Sequence, residues 1–285
     1  MTPPLMSPLA FRIVNVFAET PLAGNPLAVF EDARGIDDAA MQALALQFNL
    51  SETTFVFPSD SADARVRIFT PQFEMPFAGH PTLGTAHVVR AIANGGDRLT
   101  LEMKAGVIPV SADGDVWTLT AKAQRPARPA PAADTLAQAL GLQPGDLDTV
   151  HAPLWIDTGS EQLVIPLGSC DAVRRATPSP VHLSALGGVP SRAMAYVFAR
   201  EGDAVLARFF FLKHGSVIED PGTGSACANL GGYLLATGAP LPVRLAIEQG
   251  EAVGRPCRLR LRVDADRSIH VSGRVIEIGR GTISL

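Results

Sequence analysis

The chain has 285 residues, of which 47% are hydrophobic and 18% are charged, and its formal net charge is −4. This length and composition suit a folded protein of two domains and exclude an intrinsically disordered chain. The basic residues are scattered, which excludes a phosphate-tracking stripe, and no apolar stretch reaches the roughly 18–20 residues of a membrane span.

The N-terminal sequence and the cysteines bear on cellular location. The first 17 residues lack a basic segment followed by an unbroken apolar core, so we expect mature sequence and a cytoplasmic protein. Three cysteines, at 170, 227 and 257, are an odd number and favour a reducing compartment over a disulfide framework. No CxxC or HExxH spacing occurs, so we predict no metal site.

The first half of the chain is predicted to alternate strands with two helices. One helix covers 37–48, with Asp37 or Asp38 as its cap, and the other begins near Pro81. Strands are predicted at 11–17, 27–30, 51–58, 64–71, 99–103, 107–110 and 116–120.

A segment rich in proline and alanine then separates this half from a second one of similar pattern. We therefore predict an N-terminal lobe at 1–122, a linker at 123–135 and a C-terminal lobe at 136–285. In the second lobe, strands are expected at 155–158, 162–166, 193–198 and 205–211, followed by a glycine-rich turn, a helix over 225–236 and further strands.

The two lobes share a glycine-led turn that opens an apolar helix. GHPTLGTA begins at Gly79 and GSACANLGGYL begins at Gly224, an offset of 224 − 79 = 145 residues, about half the chain. Two such helix N-termini predict one cleft that binds a small ligand, although both turns are also compatible with simple tight helix starts.

A helix N-terminus binds carboxylates because its first N–H groups lack partners within the helix. Gly79 and Gly224 allow a ligand to approach the backbone, and Pro81 loses nothing in a first helical turn. Thr223 or Ser225 is predicted to cap the second helix.

Three further side chains are candidates for chemistry. Glu52 lies where a helix gives way to an apolar strand, and hydrophobic walls formed by Phe55 and Phe57 or their neighbours would raise its pKa towards a working acid/base value. His80 stands at a helix entrance, and Asp220 is held extended by the following proline. On these motifs alone, a solvated glutamate, a capping histidine and a turn-forming aspartate are equally acceptable structural roles.

Cysteine and serine nucleophiles have weaker support. Cys227 is expected to pack as a small hydrophobe, because no Cys–His spacing offers an activating base. Ser225 sits in GTGSA, which lacks the GxSxG elbow of hydrolases.

Five segments resemble the phenazine-biosynthesis PhzF-like family, whose fold is that of diaminopimelate epimerase. They are VNVFAETPLAGNPLAVF (14–30), NLSETTFVFP (49–58), IFTPQFEMPFAGHPTLGTA (68–86), EDPGTGSACANLGGYL (219–234) and QGEAVGRPCRLRLRV (249–263).

The resemblance implies an α+β fold of two similar lobes, each a mixed β-sheet or barrel wrapped round a central helix, with the active site in the cleft between them. It places the family's acid/base glutamate at Glu52 and its substrate-surrounding residues at His80, Asp220 and Ser225. The implied activity is similar to trans-2,3-dihydro-3-hydroxyanthranilate isomerase, in which one glutamate moves a ring proton between carbons. No cofactor is implied, and the family's homodimers imply a homodimer here.

The chain departs from the cysteine-dependent epimerases that share this fold. Those enzymes place one cysteine ahead of each helix-opening turn, whereas the corresponding segments here read MPFAGH and EDPGTG. The sequence therefore favours a cofactor-independent isomerase that acts on a small carboxylate-bearing metabolite. An amino-acid epimerase using Glu52 with His80 or Asp220, and a non-catalytic carboxylate-binding protein, remain open alternatives.

Overall fold

The computed structural model describes residues 8–123, 125–187 and 193–285. The chain divides into two compact units, the first comprising Met1–Leu119 with Gly273–Leu285 and the second comprising Thr120–Ser272. The helices are α1 (Asp38–Phe48), α2 (Gly79–Ala93), α3 (Ala133–Leu140), α4 (Cys170–Arg175), α5 (Pro180–Leu186) and α6 (Gly224–Ala236).

Seventeen strands are formed by the described residues. In the first half they are β1 (Leu9–Val16), β2 (Asn25–Phe30), β3 (Glu52–Phe57), β4 (Ala64–Phe69), β5 (Glu74–Met75), β6 (Arg98–Met103), β7 (Gly106–Asp113) and β8 (Val116–Thr120). They continue as β9 (Arg128–Pro129), β10 (Leu154–Asp157), β11 (Glu161–Pro166), β12 (Met194–Glu201), β13 (Ala204–Lys213), β14 (Ser216–Asp220), β15 (Val243–Gln249), β16 (Cys257–Val263) and β17 (Ile269–Ile283).

The strands of the first unit form a closed ring. Along the ring, β1 to β4 are adjacent in chain order, β6 joins β4, and β7 and β8 follow. The ring closes because β17 pairs with both β8 and β1. Its pairings are mixed, with β2–β3 and β4–β6 parallel and the others that β1 to β7 make antiparallel.

The second unit repeats the same series of pairings. The pairs β11–β12 and β13–β15 are parallel, and β10–β11, β12–β13, β13–β14, β15–β16 and β16–β17 are antiparallel. Strands β10 to β17 therefore correspond in order and direction to β1 to β8. The predicted α+β fold of two similar lobes is confirmed at the level of strand order.

Each unit carries one apolar helix against its sheet. Helix α2 contacts β1, β2, β3, β4 and β6, and α6 contacts β10, β11 and β16. Close approach depends on glycine: a methyl group at Gly84 would lie 2.7 Å from Leu27, and one at Gly231 would lie 2.7 Å from Ile269. The predicted central helix of each lobe is thus present, and most residues of each helix are buried.

The other helices lie outside these central positions. Asp37 caps α1, since its Oδ1 accepts a hydrogen bond from the Ala40 N–H at 2.8 Å. Helices α3, α4 and α5 were not predicted, and their buried residues form one apolar cluster with residues of β11 and β12.

The boundaries of the two compact units differ from those of the predicted linker and from the end of the predicted C-terminal lobe. The predicted linker at 123–135 contains β9, which pairs with β10, and the first turn of α3. Within the predicted lobe at 136–285, β17 continues past Ser272 and its residues from Val275 to Ile283 pair with β1. Proline and alanine content identified an irregular connection, but the long-range pairing of the last strand has no local signal.

No helix among the described residues is long and apolar enough to cross a membrane.

Candidate active site

Glu52 is the first residue of β3, where that strand pairs in parallel with Leu27 of β2. Its side chain is 15% exposed. Thr54, two residues on and so on the same face of the strand, contacts Thr85 of α2 through hydroxyl groups 2.8 Å apart. Glu52 therefore projects to the face that carries α2.

The expected phenylalanine walls lie on the other face of β3. Phe55 and Phe57 alternate with Thr54 and belong to the apolar cluster that includes α1. Phe55 stacks on Phe30 with ring centroids 4.9 Å apart. The prediction named these rings or their neighbours as the walls beside Glu52, and the rings themselves are on the opposite side because side chains alternate along a strand.

Within the first unit, the side chain of His80 lies next to that of Glu52. It is the second residue of α2, is buried, and places its Nε2 3.4 Å from Glu52 Oε2. Burial lowers the pKa of His80 from 6.5 to about 3, opposed by a hydrogen bond to the backbone of Pro26. The imidazole is therefore neutral at physiological pH, and its contact with Glu52 is not an ion pair.

The interaction with the Pro26 backbone also indicates which tautomer the ring adopts. Proline has no N–H, so its carbonyl oxygen accepts a proton from the imidazole. Nε2 makes no hydrogen bond to any described residue, which assigns the donor to Nδ1. In the neutral ring Nε2 is then unprotonated, and its lone pair faces the Glu52 carboxyl group.

In the second unit, Asp220 is held by a turn that precedes α6. Gln249 is buried and donates from Nε2 to the Asp220 carbonyl oxygen at 2.9 Å and to the Thr223 hydroxyl at 3.0 Å. Because the Thr223 oxygen accepts from Gln249, its own proton is donated to Asp220 Oδ2. The carboxylate is thereby fixed at the end of β14.

Ser225, the second residue of α6, is anchored by two side-chain amides. Gln162 of β11 donates from Nε2 to Ser225 Oγ at 2.9 Å. Asn229 of α6 donates from Nδ2 to Gln162 Oε1 at 2.8 Å, and both amides are buried.

Neither central helix has a side-chain cap at its N-terminus. The N-cap residues are Ala78 for α2 and Thr223 for α6, and the predicted capping by Thr223 or Ser225 is wrong because Thr223 bonds Asp220 and Ser225 accepts from Gln162. Gly79 and Gly224 are the first helical residues and are buried. Pro81 lies in the first turn, as predicted.

The three cysteines do not offer thiolate chemistry. Burial raises the pKa of Cys227 and Cys257, both of which are free and buried, and burial with Glu201 nearby raises that of Cys170. Cys227 packs as expected. No group of three or more metal-ligating side chains is found within the described residues.

The matching strand order allows the two units to be compared position by position. In the first unit, Glu52 of β3 pairs with the third residue of β2. In the second unit, the third residue of β11 pairs with Ala195 of β12. Ala195 therefore occupies the position that corresponds to Glu52. The second residue of β2, Pro26, holds His80, and the second residue of β11, Gln162, holds Ser225. Both units therefore use the second residue of a strand to hold the second residue of the central helix. The second unit has no carboxyl group at the position of Glu52.

Sequence reasoning missed Gln162, Asn229 and Gln249. Their bonds join residues 63, 67 and 26 positions apart, so no local motif identifies them. Their partners Ser225, Thr223 and Asp220 were named because they surround a glycine-rich turn.

A family model and several similar proteins all relate this chain to one family. A model of the phenazine biosynthesis-like proteins (PhzC/PhzF) matches residues 14–281. An uncharacterized isomerase of Pasteurella multocida is 39% identical, covering 98% of this chain and 95% of that protein. The trans-2,3-dihydro-3-hydroxyanthranilate isomerase of Pseudomonas chlororaphis is 36% identical, covering 96% and 99%.

Solved structures show the same fold. A PhzF-family protein of Bacillus anthracis superposes with a TM-score of 0.86 at 26% identity, covering 98% of this chain and all of that one. A hydroxyproline epimerase of Agrobacterium vitis shares the fold alone, with a TM-score of 0.64 at 12% identity over 98% of this chain and 93% of its own. The chain, matched by its family model over nearly its whole length, belongs to the phenazine biosynthesis-like PhzC/PhzF family.

Proposed function

We propose that this protein is an isomerase of the PhzF type in which Glu52 moves a proton between two carbons of a small carboxylate-bearing metabolite. The observation that carries the proposal is the approach of Glu52 Oε2 to Nε2 of the buried His80, at 3.4 Å. Relatives named as isomerases support the reaction class.

The contact suits a group that must both take up and release a proton. As a carboxylate, Glu52 abstracts a proton from an activated carbon, and the electron pair moves into the adjacent unsaturated system. The carboxylic acid then donates a hydrogen bond to His80 Nε2, which stabilises the protonated form while the proton is held. Return of that proton to another carbon restores the carboxylate, and the substrate as a whole is neither oxidised nor reduced across the cycle.

The remaining predicted site residues are proposed to bind the substrate. The uncapped first turns of α2 and α6, at Gly79 and Gly224, offer N–H groups and a partial positive charge to an acid group. Ser225 offers a hydroxyl group, and Asp220, fixed by Thr223, offers a carboxylate that orients an amine or hydroxyl of the substrate.

The Asp220 carboxylate accepts the Thr223 hydroxyl proton, which leaves Glu52 as the acid/base group of the proposal and favours a proton shift over a two-base inversion. Ala195 occupies the position that corresponds to Glu52, and the histidine beside Glu52 has a pKa of about 3, which makes it a weak base. We therefore rank isomerisation above epimerisation.

The other properties follow by resemblance or chemistry. A proton shift with no net redox change needs no redox cofactor, so we propose that the reaction is cofactor-independent. Assembly as a homodimer is proposed from the resemblance to the family, and a cytoplasmic location is proposed because three cysteines, all free, suit a reducing compartment.

The test is proton NMR in deuterated water with trans-2,3-dihydro-3-hydroxyanthranilate, using the wild type, Glu52→Gln and the exposed control Glu201→Gln. Wild type and control should move the double bond, and Glu52→Gln should be slower by about 10²–10⁴-fold, the usual contribution of a general acid/base group. Full turnover by Glu52→Gln would exclude the proposed role. Substrate that inverts at one carbon without a double-bond shift would instead favour the epimerase.

A further inference from the structure

The hydrogen bonds around Ser225 fix the direction of its hydroxyl group. On the side far from Ser225, Asn229 Oδ1 accepts the Thr158 backbone N–H at 2.9 Å, and its Nδ2 donates to the Ser160 carbonyl oxygen at 2.8 Å. Each end of the Asn229 amide therefore meets a backbone group whose role as donor or acceptor cannot change. This fixes which end of the Asn229 side chain is oxygen and which is nitrogen.

The orientation of the Asn229 amide also determines the orientation of the Gln162 amide. Because Asn229 presents its NH₂ group, the atom of Gln162 that faces it at 2.8 Å must be the oxygen. The Gln162 NH₂ group consequently points to Ser225 Oγ at 2.9 Å and donates to it. Gln162 is 2% exposed and Asn229 is fully buried, so water does not compete for these bonds.

A hydroxyl group that accepts from Gln162 retains its own proton for another acceptor. Ser225 Oγ has no further hydrogen-bond partner among residues 8–123, 125–187 and 193–285, and its residue is half-buried. We propose that Gln162 and Asn229 are positioning residues that occupy one lone pair of the Ser225 oxygen and leave its proton to be donated, so that this position favours an oxygen acceptor of the substrate, such as a carboxylate, over an ammonium group. The proposal rests on the proposed function in taking Ser225 as a substrate contact.

Gln162→Glu reverses the arrangement with almost no change in shape. The introduced carboxylate cannot donate while it is ionised, so Ser225 would turn its proton towards that carboxylate and present lone pairs to the substrate. Protonation of the introduced group at lower pH would restore a donor. We expect KM for trans-2,3-dihydro-3-hydroxyanthranilate, and Kd for anthranilate by calorimetry, to rise about 10- to 100-fold at pH 7.5, with much of the loss recovered near pH 5.

Two controls separate this role from a structural one. Gln162→Met removes the amide without imposing a direction, so it should weaken binding less and leave the pH profile as in the wild type. Gln138→Glu makes the same chemical change at an exposed position of α3 and should behave as the wild type. If Gln162→Glu and Gln162→Met lose affinity equally, with no recovery at low pH, the proposal is overturned.

A measurement on the unmodified protein decides the point even if the variants do not fold. Nuclear Overhauser contacts from the assigned Gln162 NH₂ protons to the Ser225 Hβ protons are expected, together with contacts from the Asn229 NH₂ protons to the Gln162 side chain. A Gln162 NH₂ group that contacts Asn229 instead would refute the arrangement. This arm needs no ligand, so failure of the wild type to bind anthranilate or turn over substrate would count against the proposed function alone.

Discussion

His80 is buried and carries an imidazole that can be protonated, so its environment makes the stability of the protein depend on pH. Its pKa is 6.5 when solvated and about 3 in the folded protein. Between these values the unfolded chain binds a proton that the folded chain does not, so the free energy of unfolding rises with pH. The stabilisation is complete above about pH 6.5 and is lost as the pH falls towards 3.

We therefore predict that His80→Gln flattens the acid limb of the stability profile. Wild type should lose about 2–3 kcal/mol at this residue between pH 6.5 and 4.5, at roughly 1.4 kcal/mol per pKa unit, and the variant should not. Urea denaturation at a series of pH values measures this, with His214→Gln, at an exposed histidine, as control. Equal slopes for His80→Gln and wild type would show that His80 is not neutral in the folded state.

For individual residues, the sequence predicted which side chains are candidates for the site, but it did not predict which side chains contact them. Glu52, His80, Asp220 and Ser225 stand at strand and helix ends that local patterns locate. The amides that orient Asp220 and Ser225 come from β11, α6 and β15, which meet only through the fold. The misplaced phenylalanines at 55 and 57 show that proximity in sequence does not give the face of a strand.

Among the elements, the turn between β14 and α6 depends on a glycine from another segment. Gly250 adopts φ +84°, and a methyl group there would overlap the carbonyl oxygens of Arg255 and Pro221. Gly254, four residues on, also has positive φ (+69°) but nothing within 4 Å of the corresponding methyl position. Substitution at Gly254 would test the strain of a positive φ alone, whereas substitution at Gly250 would add a steric clash with the turn that carries Asp220.

Gly250→Ala should therefore destabilise the protein by about 2–4 kcal/mol, whereas Gly254→Ala should cost about 1–2 kcal/mol for the left-handed backbone alone. Thermal or urea unfolding compares the two variants. We also expect Gly250→Ala to reduce kcat/KM at a temperature where it remains folded, because Pro221 must move. Equal losses in both variants would contradict a steric role for Gly250.

The last strand is joined to the first by a half-buried charge cluster. Arg12 of β1 contacts Glu31 at 2.6 Å and Glu277 of β17 at 2.9 Å. Although burial opposes it, hydrogen bonds from Arg12 and Arg280 hold the pKa of Glu277 below its usual value. Its contribution to stability is present at neutral pH and is lost as the pH falls through that lowered pKa.

Glu277→Gln is expected to lower the free energy of unfolding by roughly 1–3 kcal/mol, because Arg12 is only 10% exposed and would lose one of its two carboxylates. The control Glu19→Gln breaks a pair with Arg274 in which both side chains are 43% exposed, and should change stability by less than about 1 kcal/mol. Urea unfolding at pH 7 measures both, and an effect no larger than the control's would contradict the assigned role.

On the scale of the whole molecule, the matching order of strand pairings organises both units. The sequence indicated the repeat through its two glycine-led turns, and most strands were located within two or three residues. It could not indicate that the ring of the first unit is closed by residues from the end of the chain, since β1 and β17 pair Leu9 with Ile283.

Removal of residues 273–285 should consequently affect the two units differently. Hydrogen exchange should become fast in β1 and at the start of β8, which lose the β17 residues paired with them, while β15 and β16 keep their mutual pairing and stay protected. Uniform loss of protection would show that the second unit depends on the closed ring, and unchanged protection in β1 would show that β17 is dispensable.

The ring also constrains the order of events while the protein is made. The ribosome delivers β1 to β8 first, then the whole of Thr120–Ser272, and only afterwards the segment that closes the ring. During that interval both β1 and β8 carry an unpaired edge beside apolar residues, a surface that favours aggregation and chaperone binding. Translation speed through the second unit, and not the intrinsic folding rate of the first, then sets how long the nascent chain remains exposed.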